Sequence, residues 1–278
     1  MGAIIGFGCF SEVATVQVMG VSNPVAMKDL QVGDNIWTGN GYSPVYSFGH
    51  RSPRVNSEFL QIHTAAKTSP LEMTAEHLVF LEGKDSPVRA DSLAAGDVLQ
   101  GLVRMTVTKI QTVERQGLYA PLTPEGILLV DGVKTSSYIS LQAGNSAVQL
   151  QNGISLLRMS QHDYIHAGLS PMRLLCMGIS SSYCSTDNES GIPFYARLSI
   201  AVNEWINAKP VMVQAVAFAS VLVLIGSSAA VETVFGPSLA PLALLLLGTI
   251  ISLVIKKKKQ QPSKPKLFEV LHQVSESK

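Results

Sequence analysis

A chain of 278 residues leaves room for one sizeable domain and an extra module. Its formal net charge of +1, with basic residues scattered apart from Lys256 to Lys259, offers no case for a nucleic-acid partner. Three cysteines are too few for a disulfide framework; Cys176 and Cys184 can pair if their backbones approach closely enough, which leaves Cys9 as the odd thiol.

Met1 to Gly8 lacks the basic start and long apolar run of a secretory signal. Met1-Gly2 opens like a myristoylation site, but Gly6 stands where Ser or Thr is wanted. The expectation is that residues 1–8 are the remnant of a longer upstream segment. Gly8-Cys9-Phe10 follows. A thiolate at Cys9 is a nucleophile, and the Gly8 carbonyl, unshielded by a side chain, is its nearest target.

Ala14 to Met19 alternates, with Val16 and Val18 on one face, and predicts a strand. Met27 to Asp34 predicts a short helical turn reversed at Gly33, then a strand over Asn35 to Thr38 and a hairpin at Asn40-Gly41. Val45 to Phe48, Phe59 to Thr64 and Leu71 to Thr74 read as strands, and Leu78 to Leu81 as a fully buried one. Between the last two lies Thr74-Ala75-Glu76-His77; taken alone, His77 reads as a core histidine. Asp91 to Asp97 repeats the earlier pattern, because Leu30 and Leu93, Gly33 and Gly96, and Asp34 and Asp97 are each 63 positions apart. A duplicated unit of this kind predicts a mainly β, pseudo-twofold fold. Its second half continues through Val103 to Val107, Ile110 to Val113, Ile127 to Val130 and Tyr138 to Leu141.

The remainder reads as helical. His162 and His166 have the spacing of a metal pair, but no third ligand follows, so no metal is expected and a surface or lipid-facing helix is the better reading. Phe194, Leu198, Val202 and Trp205 recur at helical spacing as one apolar face. From Val211 to Ile255 the one formal charge is Glu232. Val211 to Ala230 supplies about the twenty residues a membrane span needs, whereas Leu242 to Ile255 spans only marginally. One or two membrane helices are expected, with Lys256 to Lys259 at the cytoplasmic face; one full span plus an interfacial segment is preferred.

The ordered set Gly8-Cys9-Phe10, Met27 to Asp34, Gln61-Ile62-His63-Thr64, Thr74-Ala75-Glu76-His77, Tyr119 to Gly126, Gly168 to Leu175 and Gly191 to Ala196 resembles the C-terminal autoprocessing part of Hedgehog proteins, a Hint (Hedgehog/intein) domain. The resemblance runs roughly from Cys9 to Trp205. It implies a Hint β-fold followed by amphipathic and transmembrane helices, divided as 1–8, 9–150 (autoprocessing), 151–209 (sterol or lipid recognition), 210–255 (membrane) and 256–278 (basic, polar tail).

The implied reaction starts with an N-to-S acyl shift by Cys9 at Gly8, with His77 protonating the departing nitrogen and Thr74 holding the scissile peptide. The upstream segment then passes to a nucleophile. In animal Hedgehog proteins that nucleophile is cholesterol, activated by an aspartate. Ungapped matching puts His50 at that position, so the acceptor is left open among a sterol or other lipid hydroxyl, a thiol and water. No cofactor is expected beyond such a lipid co-substrate. The implied partners are the upstream segment and a membrane lipid or sterol met by Phe194, Leu198 and Trp205, and the implied location is a membrane of the secretory pathway. Ser137 stands where the family tends to have a cysteine, and the nucleophile and Asn that splicing needs are missing from that end. The competing reading is a degenerate Hint fold serving as a membrane-anchored lipid- or partner-binding module.

Overall fold

The computed structural model describes residues 9–67, 69–140 and 160–178, Cys184, and 191–236 with interruptions. Gly8, Val202, the second apolar run and the lysine cluster therefore lie outside the described residues. In chain order the strands are β1 (Thr15–Val16), β2 (Val25–Ala26), β3 (Asn35–Trp37), β4 (Tyr42–Pro44), β5 (Ser47–Thr64), β6 (Leu71–Met73), β7 (His77–Val79), β8 (Val88–Arg89), β9 (Val98–Leu99), β10 (Met105–Leu122), β11 (Ile127–Val130) and β12 (Val133–Ile139). They form a six-stranded sheet ordered β2-β1-β11-β12-β7-β8, a four-stranded sheet ordered β6-β5-β10-β9, and the β3-β4 hairpin. The helices that follow include α1 (Gln161–Gly168), α2 (Ser170–Gly178) and the long apolar α3 (Met212–Gly236).

The pseudo-twofold repeat extends well beyond the motif that signals it. The pairs Thr15–Ala26 and Val16–Val25 recur as Leu78–Arg89 and Val79–Val88, every partner 63 positions on. The bridges Val18–Ile36 and Leu81–Leu99 keep the same offset. At each repeat the glycine takes a left-handed backbone, with φ of 98° at Gly33 and 97° at Gly96. The next carboxylate folds back to accept a backbone N–H, Gln31 to Asp34 and Ala94 to Asp97, both at 2.8 Å. Gly-Asp recurs because this turn needs a residue free of Cβ strain followed by a short acceptor. No helical turn forms at Met27 to Asp34; the segment is a run of hydrogen-bonded turns. The strand expected over Ala14 to Met19 shortens to β1 plus the bridge at Val18.

Two expected strand pairs each merge into one. Of the expected strands, 47–48 and 59–64 are the two ends of the eighteen-residue β5, and 105–107 with 110–113 fall on the equally long β10, while 45–46 and 103–104 lie outside them. The joining stretch is exposed and polar, so no apolar period marks it. Pro53, which has no N–H to give, sits where the β5–β10 register shifts between Gln116–Asn56 and Leu118–Ser52.

Both halves bury their apolar faces in one core of Phe10, Val16, Leu30, Ile36, Met73, Val79, Leu93, Leu99, Tyr119 and Val130. Full burial of each large side chain contributes about 2 kcal/mol. A second cluster packs α1 and α2 on the sheets through Tyr46, Leu122, Tyr138, Ile165, Leu169 and Met172. The surface or lipid-facing helix expected around His162 is thus a packed one, with His162 buried. Beside it Cys176 and Cys184 form a disulfide with Cα atoms 5.7 Å apart.

Candidate functional site

Phe10 bridges Tyr119 of β10 and Met73 of β6, exchanging hydrogen bonds with Tyr119 (Phe10 N–H to Tyr119 O, 2.8 Å; Tyr119 N–H to Phe10 O, 3.1 Å). That bridge seats Cys9 in the crease between the halves, where its side chain is buried. Thr74 grips the Cys9 backbone on both sides: Cys9 N–H donates to Thr74 Oγ1 at 3.4 Å, and Thr74 N–H donates to Cys9 O at 3.0 Å. The first of these bonds acts on the nitrogen of the Gly8–Cys9 peptide itself.

Thr74 and His77 close a turn through His77 N–H to Thr74 O at 3.0 Å, so the Thr-x-x-His spacing delivers both residues to the same crease. The His77 ring is fully buried, 4.3 Å from that of Phe10. Its Nε2 lies 2.7 Å from Ser136 O. A carbonyl only accepts, so Nε2 carries the proton and the neutral ring presents a bare Nδ1. Nδ1 has no hydrogen-bond partner among the described residues. Burial pulls His77 down to about 4, against the opposing pull of the Ser136 and Cys9 backbone groups.

The third side chain at Cys9 comes from β5. His50 Nδ1 is 3.7 Å from Cys9 Sγ. Burial pushes the thiol up to about 12 and lowers His50. The resting pair is therefore thiol and neutral imidazole, and the proton has to leave sulfur as the attack proceeds. Beside His50, Gly191 O accepts from Arg51 N–H at 2.9 Å. Gly191 has φ of 62°, and a Cβ there would collide with the Arg51 carbonyl oxygen and press on the His50 ring at 3.3 Å. Gly191→Ala is expected to destabilise the fold by roughly 2 kcal/mol from the left-handed backbone alone, read as a lower midpoint in chemical denaturation.

The structure thus brings Cys9, Thr74, His77 and His50 together; no backbone hydrogen bond joins them to Phe194, Leu198 or Trp205 among the described residues. Those three are exposed, at 48%, 45% and 55%, and Lys209 Nζ lies over the Trp205 ring at 4.8 Å. The sequence reading missed Ser136, whose carbonyl sets the His77 tautomer, and His162, whose Nδ1 lies 2.9 Å from Ser136 Oγ. The paired histidines at 162 and 166 are the signal that could have found the second. His162 Nδ1 meets Ser136 Oγ and His166 Nδ1 meets Tyr138 Oη at 3.0 Å. Ser137 is buried too, and its Oγ has no partner among the described residues.

A family model described as the Hint module matches residues 3–208. The chain belongs to the Hint family. Among curated relatives, this Hint chain is 25% identical to the Tiggy-winkle hedgehog protein of Danio rerio over 222 residues, covering 72% of the chain and 49% of that protein. It is 32% identical to the Indian hedgehog B protein of Danio rerio over 158 residues, 48% of the chain and 38% of that protein. With Warthog protein 1 of Caenorhabditis elegans it shares 29% over 148 residues, 49% of the chain and 30% of that protein. The chain therefore spans half or less of the length of these relatives. The crystal structure of the gp41-1 intein, 16% identical, aligns with a TM-score of 0.41 over 46% of the chain and 98% of the intein. Hint membership supports a self-processing mechanism through a thioester, as is typical of the family.

Burial in this Hint fold also sets its acid response. His77 and His162 sit at about 4 and His166 at about 3, all lowered first by desolvation from an ordinary 6.5. Folded values below unfolded ones mean that the unfolded chain binds more protons in that window, so stability is greatest above about pH 6.5 and falls as the pH drops toward 4. The urea midpoint is expected to fall steadily between about pH 7 and pH 4.5; a flat profile would contradict neutral burial of the three rings.

Proposed function

We propose that this chain is a single-turnover, cysteine-dependent self-processing domain that cleaves between Gly8 and Cys9. The observation that carries the reading is the buried Cys9 thiol, 3.7 Å from His50 Nδ1, on a residue whose backbone nitrogen donates to Thr74. In the first step Sγ bonds to the Gly8 carbonyl carbon while His50 Nδ1 takes the thiol proton. The Gly8–Cys9 C–N bond then breaks, and the nitrogen leaves as an amine on taking a proton from His77 Nδ1, which is bare at rest and must first take up the proton that His50 drew from sulfur. The net change moves one proton from sulfur to nitrogen, so no external acid is consumed. Thr74 favours the step by drawing the peptide nitrogen out of resonance with its carbonyl.

In the second step a nucleophile attacks the thioester, gives its proton to His50, and releases Cys9 as the thiol. A sterol or other lipid hydroxyl is the acceptor we favour. Exposed Phe194, Leu198 and Trp205 would meet a lipid surface, and α3, one helix of 25 residues and mean hydropathy 1.9, is long and apolar enough to cross a membrane. On this reading residues 9–150 do the chemistry, 151–209 select the acceptor, 210–255 hold the membrane, and residues 1–8 belong to the cargo. A membrane of the secretory pathway is the proposed location.

The test places a reporter domain ahead of Met1 in the full chain. Dithiothreitol is expected to release the reporter by capturing the thioester, and added sterol to release it with a mass increment equal to the sterol less water. Release by thiol without any lipid adduct would keep the first step and remove the lipid acceptor. No release under either condition would favour a binding module without catalysis.

A further inference from the structure

Outside the reacting cluster, Ser136, His162, His166, Arg173 and Glu232 form a continuous series of polar contacts, with Ser136, His162 and Arg173 buried. Ser136, whose carbonyl holds His77 Nε2 at 2.7 Å, receives Tyr138 N–H on its Oγ at 3.0 Å and meets His162 Nδ1 at 2.9 Å. The tautomer of His162 decides whether the Ser136 hydroxyl donates to Nδ1 or accepts from it. His162 lies on α1 and stacks on His166, one turn on, at 6.0 Å and 8° between planes. Arg173 of α2 caps the end of α1 by donating Nη1–H to His166 O at 2.6 Å. The same guanidinium makes a two-point pair with Glu232 on α3, Nε to Oε1 at 3.0 Å and Nη2 to Oε2 at 2.6 Å. A second bond, Ser170 Oγ to Ser228 Oγ at 2.6 Å, runs alongside.

We propose that Ser136 and His162 are positioning residues for His77, and that Arg173–Glu232 makes their setting depend on the docking of α3. The inference rests on the self-processing reading and assigns a role to the one charge in the apolar run 211–255. A carboxylate on an otherwise apolar helix is costly unless it meets a partner. Arg173 supplies that partner and pairs with no other carboxylate among the described residues. Breaking the pair leaves a buried guanidinium to find a new acceptor, and the groups it holds are α1 and, through His162, the Ser136 hydroxyl. That hydroxyl is on the residue whose carbonyl fixes the reactive tautomer of His77. The helix that would sit in the membrane is thereby tied to the acid–base group of the acyl shift.

The experiment uses the full reporter-bearing chain in detergent micelles, with 15N-labelled histidine. Glu232→Gln is expected to slow thiol-captured release about tenfold and to move the His77 ring-nitrogen signals, and Ser136→Ala to do both more strongly. The ring signals are read in a Cys9→Ala background, where no cleavage is needed, so they answer even if the self-processing reading fails. Ser170→Ala, which leaves every charge paired, is expected to move the same signals in the same direction by less, and it serves if Glu232→Gln does not fold. Unchanged His77 signals and unchanged release in Glu232→Gln, or in Ser170→Ala if that is the variant that folds, would overturn the coupling.

Discussion

Cys9→Ala in the reporter-bearing chain ends thiol-induced release, by a factor on the order of a thousand or more, while leaving the fold intact. The size follows from the absence of a substitute. Among the described residues the other two cysteines are locked in the Cys176–Cys184 disulfide, so no second thiol is at hand. The fold should survive because Cys9 is small and sits in a small cluster with Phe59 and Ala120, against which Val113 and Leu118 pack; an alanine loses roughly 1 kcal/mol of burial there. Comparing Cys9→Ala with wild type by denaturation and by release separates the two effects. Residual release near the wild-type rate would remove Cys9 from the reaction.

His77→Ala is expected to lower release by about a hundredfold to ten-thousandfold, the range for loss of a positioned proton donor. Thr74 still holds the nitrogen in this variant and His50 still faces the thiol, so the attack is possible, but the amine has lost its proton source and the tetrahedral adduct returns to peptide. The variant also orphans the Ser136 carbonyl in a buried position, a cost of about 1–3 kcal/mol, so the midpoint of unfolding should fall as well. His77→Gln separates the two losses. Its amide can donate to Ser136 and recover stability, yet it cannot carry a proton to nitrogen. Stability restored without rate identifies His77 as a proton carrier; rate restored along with stability would reduce it to a strut.

Much of this could be read from residues because the chemistry sits on short motifs that fold locally. Thr74-x-x-His77 is a hydrogen-bonded turn, so its two side chains belong together whatever the rest of the chain does. The Gly-Asp repeat was legible for the same reason. The 18-residue strands were not, since their outer halves face solvent and pair through backbone alone. Nor was the role of Ser136, because a carbonyl leaves no trace in residue identity. His50 was found only as the occupant of the position where animal Hedgehog proteins carry an aspartate; its closeness to sulfur depends on the β5 register and on Gly191 lying against it.

The crease between the repeats also orders events in time. Position 10 pairs with position 73, its own counterpart 63 residues on, so the scissile bond lies where the first copy crosses the second. Cys9 is synthesised early, His77 later, and Ser136 later still, near the close of the sheet. Until that last strand leaves the ribosome and docks, the scissile nitrogen has no fixed proton donor. On the proposed reaction, the cargo ahead of Gly8 has the whole of that interval in which to fold before it can be cut free.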